Sequence, residues 1–138
     1  IKVNLWDFVS ENGGLDMEIA ENGDNLSGGQ CQRLCIARAI LHDSEIYIFD
    51  EATSNIDAES EGMIMNVIHE LAKTKTVLLI SHRLFNVIPS ENIYMLEEGR
   101  ISESGAHNQL MENRGAYFKL FESQRVLEEY GKEEPDVC

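Results

Sequence analysis

The segment that determines the fold class is IYIFDEATSNIDAESEGMIMNVIHELAKTKTVLLISH, which spans residues 46–82. Its two ends, residues 46–49 and 76–80, are short and almost wholly apolar, as is typical of strands that lie buried in a parallel sheet. Between them the sequence predicts a helix that begins at Asp57 and carries an apolar stripe at helical spacing: Met63, Ile64, Val67, Ile68, Leu71 and Ala72. Strand, helix and strand at this spacing predict a βαβ unit with two parallel strands.

Further helices and a hairpin are predicted on both sides of this unit. Upstream, helical patterns occupy residues 3–10, 15–20 and 27–41, the last with its apolar face at Ile36, Ala37, Ile40 and Leu41. Downstream, residues 92–96 and 100–103 predict a hairpin that turns at residues 97–99, and helices are expected over residues 106–112 and 116–129. The sequence therefore predicts an α/β fold with added helices.

The charge balance limits the classes of partner. Eleven basic residues stand among twenty-five acidic ones, which gives a formal net charge of −14. Since nucleic acids are bound by clustered Lys and Arg, this balance argues against a nucleic-acid partner. No apolar run approaches the roughly 18 residues that cross a bilayer, so the chain is expected to be soluble as it stands. Residues 128–138 hold five acids against Lys132 and are predicted to form a disordered, solvated tail.

Three cysteines, Cys31, Cys35 and Cys138, bear on the cellular compartment and on one candidate metal site. An odd number of cysteines without a secretory signal fits a reducing, cytosolic compartment. Cys31 and Cys35 lie four residues apart on a predicted helix, and His42 follows near the same face. Ligands from a single helix rarely complete a coordination sphere, so small buried side chains are the favoured interpretation and a metal site is the alternative.

Polar residues follow both predicted parallel strands. Asp50 and Glu51 come directly after the first strand, and Ser81 and His82 come after the second. Because ligands of open parallel sheets bind beside the carboxyl ends of the strands, these groups are expected at one edge of the sheet. A carboxylate there can hold Mg²⁺, a second can orient or deprotonate water, and a histidine can donate to a phosphate oxygen. The alternative interpretation is a pair of solvated turns.

The segment Leu26-Ser27-Gly28-Gly29-Gln30 favours the functional interpretation. Ser27 and Gln30 fit a capping box at the start of a helix. A capping box does not account for two adjacent glycines, each of which costs up to about 1 kcal/mol in a helix relative to alanine. Glycines suit a close approach to the backbone, and amides at a helix N-terminus bind anions. The pattern therefore predicts a phosphate contact at residues 27–30, with plain capping as the alternative.

These residues, in this order, resemble the nucleotide-binding domain of ATP-binding cassette (ABC) proteins. Residues 26–30 with 32–33 and 36–39 match the family signature, and residues 46–51 resemble the Walker B strand with its catalytic glutamate. Residues 54–57 resemble the D-loop, 81–83 the switch histidine, and 97–101 and 105–107 the usual ending of the domain. The similarity extends from about residue 4 to residue 124. It implies part of a RecA-like P-loop NTPase core together with part of the ABC helical subdomain.

The resemblance also implies two cofactors, ATP and Mg²⁺, and roles for individual residues. By their positions in the motifs, Glu51 and His82 are expected to be catalytic and Asp50 to bind the metal, while ATP is expected to be bound by Ser27, Gly28, Gly29, Gln30 and Asp57. Residues 17–23 resemble the X-loop of exporters, although Met17 and Ala20 stand where threonine and glycine are common. An exporter implies a transmembrane domain as a partner and a place at the cytoplasmic face of the cell membrane.

One family motif is absent, since the sequence contains no Gly-x-x-x-x-Gly-Lys-Ser/Thr loop to hold the β- and γ-phosphates. Together with Ile1 in place of an initial Met, this predicts a C-terminal piece of a longer ABC ATPase that is inactive by itself. In the family the signature completes the site of a second nucleotide-binding domain in a head-to-tail dimer. The expected divisions are a remainder of the helical subdomain (residues 1–42), part of the ATPase core (43–127) and the acidic tail (128–138).

The two apolar strands would lack neighbours in such a piece, and bare strand edges and apolar faces favour association. We therefore expect the chain by itself to form a homo-oligomer. Two other functions remain open from the sequence: a soluble cassette protein that works in repair or translation, and a half-domain used only for binding or assembly. Transmembrane segments encoded upstream would support the exporter.

Overall fold

The computed structural model describes residues 3–132. The chain forms two compact units, the first ending at Ile80 and the second beginning at Ser81. The first contains, in order, α1 (Trp6–Glu11), short 3-10 turns at Gly14–Asp16 and Glu21–Gly23, α2 (Gly28–Leu41), β1 (Ile46–Asp50), α3 (Ala58–Ala72) and β2 (Thr76–Ile80). The second contains a 3-10 turn at Leu84–Val87, β3 (Ile93–Glu97), β4 (Arg100–Gly105), α4 (His107–Asn113) and α5 (Ala116–Lys132). The predicted α/β class is confirmed.

The first unit is organised around the parallel pair of β1 and β2. The strands pair over all five residues of each, beginning with Ile46 opposite Thr76, and α3 connects them. The predicted βαβ unit is therefore confirmed. α3 packs on one face of the pair, where Tyr47 and Phe49 are buried with their rings stacked. The buried core of this unit consists of Ile36, Tyr47, Phe49, Ala52, Ile64, Met65, Val67, Ile68 and Leu71.

The opposite face of the β1–β2 pair is exposed. Ile46 and Ile48 are 62% and 65% exposed, and Leu78 and Ile80 are 48% and 44% exposed. The bare apolar face that the sequence predicts for these strands without their neighbours is therefore confirmed for the described residues, because α3 covers one face only. Side chains alternate across a strand, so these four large apolar residues share one face. The result is an apolar surface of the kind that favours association.

α3 begins at Ala58, one residue after the predicted start at Asp57, and Asp57 is its N-cap. Asp57 Oδ1 accepts a hydrogen bond of 2.8 Å from the Ser60 amide. This bond, together with one from the Ser60 side chain, lowers the pKa of Asp57 below its ordinary value of 3.8. The ionised carboxylate is therefore the form that stabilises the start of the helix.

The region before α2 differs from the prediction. Of the short helical piece predicted over residues 15–20, only residues 15 and 16 are helical, in the 3-10 turn Gly14–Asp16, and the backbone becomes extended at Met17, with φ −55° and ψ 124°. Asn25 supplies the reason, because its side chain donates to Glu18 O and accepts from Ala20 N, both over 3.0 Å. The Ala20 amide, which in a helix over these residues would donate to Asp16 O, donates to the Asn25 side chain instead.

Two predictions of burial on α2 are wrong. Leu41, which the sequence assigned to the apolar face, is 86% exposed because the helix ends there, whereas Ile36 of the same predicted face is buried. Cys35 is exposed and Cys31 is half-buried, so this pair is not two small buried side chains. Within the part of the chain that the structure describes, no three His, Cys, Asp or Glu side chains are grouped so as to hold a metal ion.

The second unit is built on the β3–β4 hairpin, which the structure confirms. Its turn consists of Glu98 and Gly99, both with positive φ (48° and 75°), as a two-residue turn of the primed type requires. The Glu103 carboxylate of β4 accepts hydrogen bonds from the amides of Ala116 and Tyr117 and so caps the start of α5. The buried apolar residues of this unit are Leu84, Val87, Ile93, Leu110, Tyr117 and Phe121.

α5 continues beyond the predicted start of the tail. The helix extends through Lys132, so residues 128–132 are helical and the prediction of disorder from residue 128 is wrong for them. Glu128 and Glu129 have high helix propensity and continue the helix where the sequence reasoning ended it. Residues 133–138, which complete the predicted tail, lie outside the described residues. Among residues 3–132 we find no helix with the length and apolar character needed to cross a membrane.

Candidate functional site

α2 begins at the glycine-rich segment with the predicted capping box. Ser27 has an extended backbone, with φ −67° and ψ 158°, and its Oγ accepts a hydrogen bond of 3.2 Å from the Gln30 amide. In return, Gln30 Oε1 accepts a bond of 2.8 Å from the Ser27 amide. The box leaves out the amides of Gly28 and Gly29, which as first-turn donors have no partner within the helix itself.

The two glycines differ in what surrounds them. A Cβ atom on Gly29 would lie 2.3 Å from Ser60 Oγ and 2.6 Å from Ser60 Cβ, so this glycine allows α2 to approach α3 closely. A Cβ atom on Gly28 would come no nearer than 3.8 Å to its surroundings, at Asn55 O and Ile56 Cγ2, and Gly28 is exposed. Helix packing is thus sufficient to explain Gly29, a reason that the sequence reasoning missed. Packing does not require glycine at position 28, and the phosphate contact expected there stays a prediction.

Residues 54–57 lie against the start of α2. Asp57 Oδ2 is 3.6 Å from the position that a Cβ atom on Gly29 would take, and Asn55 and Ile56 flank Gly28 as described above. The structure therefore brings five predicted site residues together at the adjoining N-termini of α2 and α3: Ser27, Gly28, Gly29, Gln30 and Asp57. Both helix N-termini carry partial positive charge, which favours an anionic ligand.

Arg33 belongs to this cluster, although the sequence reasoning gave it no role. Its Nε donates to Gly29 O over 3.2 Å, and its Nη1 donates to Asn4 O over 3.0 Å. The guanidinium therefore fixes the first turn of α2 to the N-terminal segment. Its place within the signature, directly after Gln32, is the signal from which it could have been found.

Asp50 and Glu51 lie at the carboxyl edge of the β1–β2 pair, and both are exposed. The Glu51 amide donates to Ile80 O over 3.0 Å and so extends the ladder by one residue. The backbone of Glu51 has φ +48°, a left-handed conformation that residues other than glycine rarely adopt. The two carboxylates are thereby presented to solvent at one edge, where a hydrated cation and a water molecule can reach them.

His82 follows the end of β2 in sequence but belongs to the second unit. It is exposed, and its backbone oxygen accepts a hydrogen bond from Gln124 Nε2 on α5. The structure thus unites Asp50 and Glu51 at one sheet edge of the first unit, while His82 is held by contacts within its own unit.

The residues present fit the cofactors that the motifs imply. Asp50 offers a hard oxygen ligand, and proteins bind Mg²⁺ through one or two carboxylates while the ion keeps water and phosphate ligands. The start of α2 offers backbone amides to a phosphate group. The sequence contains no Gly-x-x-x-x-Gly-Lys-Ser/Thr loop, the element that holds the β- and γ-phosphates in P-loop proteins.

Comparisons with known proteins agree with these motifs. Residues 4–54 match the family model described as ABC transporter. A Haemophilus influenzae protein named as an uncharacterized ABC transporter ATP-binding protein is 52% identical over 128 residues, which are 93% of this chain and 23% of that protein. The ATP-dependent lipid A-core flippase of Escherichia coli K12 is 50% identical over 119 residues, which are 86% of this chain and 20% of that protein.

A solved structure, that of a bacterial Atm1-family ABC exporter with ATP bound, superimposes with a TM-score of 0.82 at 35% sequence identity. The match covers 89% of this chain and 22% of the exporter chain. This chain therefore spans about a fifth of the length of the relatives that it matches.

Proposed function

This chain belongs to the ABC transporter family, and it resembles the nucleotide-binding domains of exporters. We propose that it is the C-terminal part of a domain that couples ATP hydrolysis to transport across a membrane. The start of α2, where Ser27 and the exposed Gly28 lie against residues 54–57, is the observation that carries this proposal. Backbone amides at a helix N-terminus bind phosphate, and this is the chemistry that the arrangement offers.

In this proposal the carboxyl edge of the β1–β2 pair performs the hydrolysis. Mg²⁺, when bound, neutralises charge on the nucleotide phosphates. Asp50 holds the ion, and Glu51 accepts a proton from the water that attacks the γ-phosphate. His82 donates a hydrogen bond to a phosphate oxygen. The exposure of both carboxylates at the end of β1 supports these roles.

A second nucleotide-binding domain completes the site in a head-to-tail dimer. The α2 start, residues 27–30, contacts the γ-phosphate of a nucleotide that the other domain holds, with Asp57 at the same interface. One observation supports this division of labour: the α2 start is exposed at Ser27 and Gly28, where a second domain can reach it.

The proposal also places residues 17–23 at the cytoplasmic face of the cell membrane, facing the transmembrane domain. Asn25 donates a hydrogen bond to Glu18 O and accepts one from the Ala20 amide, and these two bonds support a defined shape for this loop. Asn25 lies two residues before Ser27, so a displacement of the loop would be transmitted to the start of α2 through one side chain.

The test of hydrolysis is Glu51→Gln in the longer protein that carries this chain. The amide cannot accept the proton of the attacking water, so we expect kcat to fall by about 10²–10⁴-fold, the usual contribution of a general base, while ATP binding is retained. Glu70→Gln is the matched control, since Glu70 lies at the far end of α3 and pairs with Lys73 on the surface. Hydrolysis at the wild-type rate in Glu51→Gln would contradict the assigned role.

The 138-residue chain by itself is expected to bind MgATP very weakly and to hydrolyse it negligibly. Asp50 and Glu51 are in place, but the sequence contains no loop to enclose the β- and γ-phosphates. Isothermal titration calorimetry measures this directly. Micromolar affinity of the chain for MgATP would show that these residues bind the nucleotide without such a loop, and would contradict this prediction.

A further inference from the structure

One side chain of α5 binds the backbone on both sides of Arg83. Gln124 Nε2 donates to His82 O, and Gln124 Oε1 accepts a hydrogen bond of 3.0 Å from the Leu84 amide. A side-chain amide has both a donor and an acceptor, so a single glutamine can satisfy a carbonyl and an amide two residues apart. We call this pair of hydrogen bonds the Gln124 clamp.

Apolar packing brings the same segment to α5 but does not fix its register. Leu84 is buried, and the centroid of the Phe85 ring lies 5.0 Å from the centroid of the Phe121 ring of α5. Such contacts are non-directional, and they tolerate small rotations and slides of the segment. The clamp differs in kind, because its donor and acceptor each require a particular backbone atom at hydrogen-bond distance.

The segment is also ordered from its other side. Ser81 Oγ accepts a hydrogen bond of 3.0 Å from the Arg83 amide, which bends the chain around His82. The backbone of His82 is therefore held between a local turn at Ser81 and the clamp from α5. Its side chain is left exposed, so the restraint acts on the backbone and leaves the imidazole accessible.

We propose that Gln124 is a positioning residue for His82 in ATP hydrolysis. This inference rests on the role of His82 given under the proposed function. A donor to a phosphate oxygen must arrive within about 2.6–3.2 Å, and the direction of the His82 Cα–Cβ bond determines where the imidazole can reach. By holding His82 O, the clamp fixes the peptide plane that contains the His82 Cα atom, and together with the turn at Ser81 it restrains the direction in which the side chain extends.

Hydrogen exchange in the 138-residue chain tests the clamp itself, with Gln124→Leu, Gln124→Glu and the control Ser123→Ala. Gln124→Leu removes both bonds, so exchange of the Leu84 amide is expected to accelerate about fivefold, the factor of one net hydrogen bond of about 1 kcal/mol. Gln124→Glu keeps an acceptor for Leu84 and is expected to keep its protection. Ser123 donates a hydrogen bond within α5, to Lys119 O over 2.8 Å, and Ser123→Ala should leave the exchange rate of the Leu84 amide unchanged.

Steady-state ATP hydrolysis by the longer protein tests the positioning role. Misplacement by about 1 Å costs up to about 10²-fold in rate, so we expect both Gln124 variants to lower kcat by about 10–100-fold while KM stays within about twofold. Gln124→Glu is the decisive variant, because it preserves the Leu84 bond and loses the donor to His82 O. If Gln124 has only a structural role, Gln124→Glu should protect the Leu84 amide normally and should hydrolyse ATP at the wild-type rate.

The two experiments test the Gln124 clamp and the positioning role of Gln124 separately. Unchanged Leu84 exchange in Gln124→Leu would overturn the clamp. Faster exchange with wild-type kcat in both variants would overturn the positioning role while leaving the proposed function intact. Wild-type hydrolysis by His82→Ala would instead remove the role of His82, and the positioning role with it, without touching the exchange result.

Discussion

Replacing Gly29 with alanine tests whether helix packing, and not only a ligand, requires glycine in the signature. The new methyl carbon would lie 2.3 Å from Ser60 Oγ and 2.6 Å from Ser60 Cβ. The hydroxyl can rotate away, but the Cβ atom of Ser60 cannot, and Ser60 is buried. Carbon atoms in contact need about 3.5 Å, so the start of α2 must move away from α3 by about 1 Å.

The cost of that movement can be set against the gain in helix propensity. Overpacking of this kind costs about 1–3 kcal/mol, and alanine in place of glycine returns at most about 1 kcal/mol in a helix. We therefore expect Gly29→Ala to lower the free energy of unfolding by about 1–2 kcal/mol. Gly28→Ala is the matched control, because its Cβ atom would meet neighbours at 3.8 Å, which is ordinary contact. Its stability should be equal to that of the wild type or slightly higher.

Urea denaturation of the 138-residue chain, followed by circular dichroism, compares the variants. The double variant Gly29→Ala with Ser60→Gly removes the clashing Cβ atom and should recover part of the loss. The reasoning is refuted if Gly29→Ala and Gly28→Ala unfold at the same urea concentration.

Three further predictions concern charge, dimer closure and association. The cap at Asp57 stabilises the fold at pH values above the unfolded pKa of this carboxyl, and the stabilisation is lost as the pH falls through the lower folded pKa. The urea midpoints of the wild type and of Asp57→Asn should therefore become equal at acidic pH. A difference between the midpoints that does not change with pH would contradict this. Ser27→Arg in the longer protein should spare ATP binding but block closure of the head-to-tail dimer, by placing bulk and charge at the start of α2; ATP-dependent dimers by size-exclusion chromatography would show otherwise. The chain by itself should form a homo-oligomer through the exposed face of the β1–β2 pair, and light scattering that gives a monomer at tens of micromolar would rule this out.

The elements that the sequence predicted well are those determined by local pattern. β1, β2 and α3 follow from apolar periodicity, and the caps at Ser27 and Asp57 follow from side chains that bond within four residues. The hairpin turn at Glu98 and Gly99 follows from local turn chemistry. In each case the residues that decide the structure are neighbours in the chain.

The features that the sequence did not predict depend on contacts between distant or irregular segments. Nothing near Gly29 in sequence indicates that Ser60 occupies the space of its missing Cβ atom. The helix expected over residues 15–20 does not continue past Asp16, and the side chain of Asn25, which lies outside that segment, binds the backbone of Glu18 and Ala20 instead. Gln124 lies 40 residues from Leu84, so its role could not be derived from any local motif.

The sequence identifies the residues of the candidate site by their positions in motifs. The structure then shows which of these residues are neighbours in space. Ser27 and Asp57 come together because two helices begin side by side. The roles in catalysis of Glu51, His82 and Asp50 stay predictions, since they concern a bound nucleotide.

The left-handed backbone at Glu51 has a consequence for attempts to improve this protein. A residue with a side chain in that conformation costs about 1–3 kcal/mol, and glycine would avoid the strain. Selection for thermal stability alone would therefore favour glycine at position 51. Each variant selected in this way would lack the carboxylate that is proposed to activate water. Selection for expression or heat resistance and selection for turnover should thus diverge at this one position, and libraries meant to yield a working enzyme are better built with Glu51 held constant.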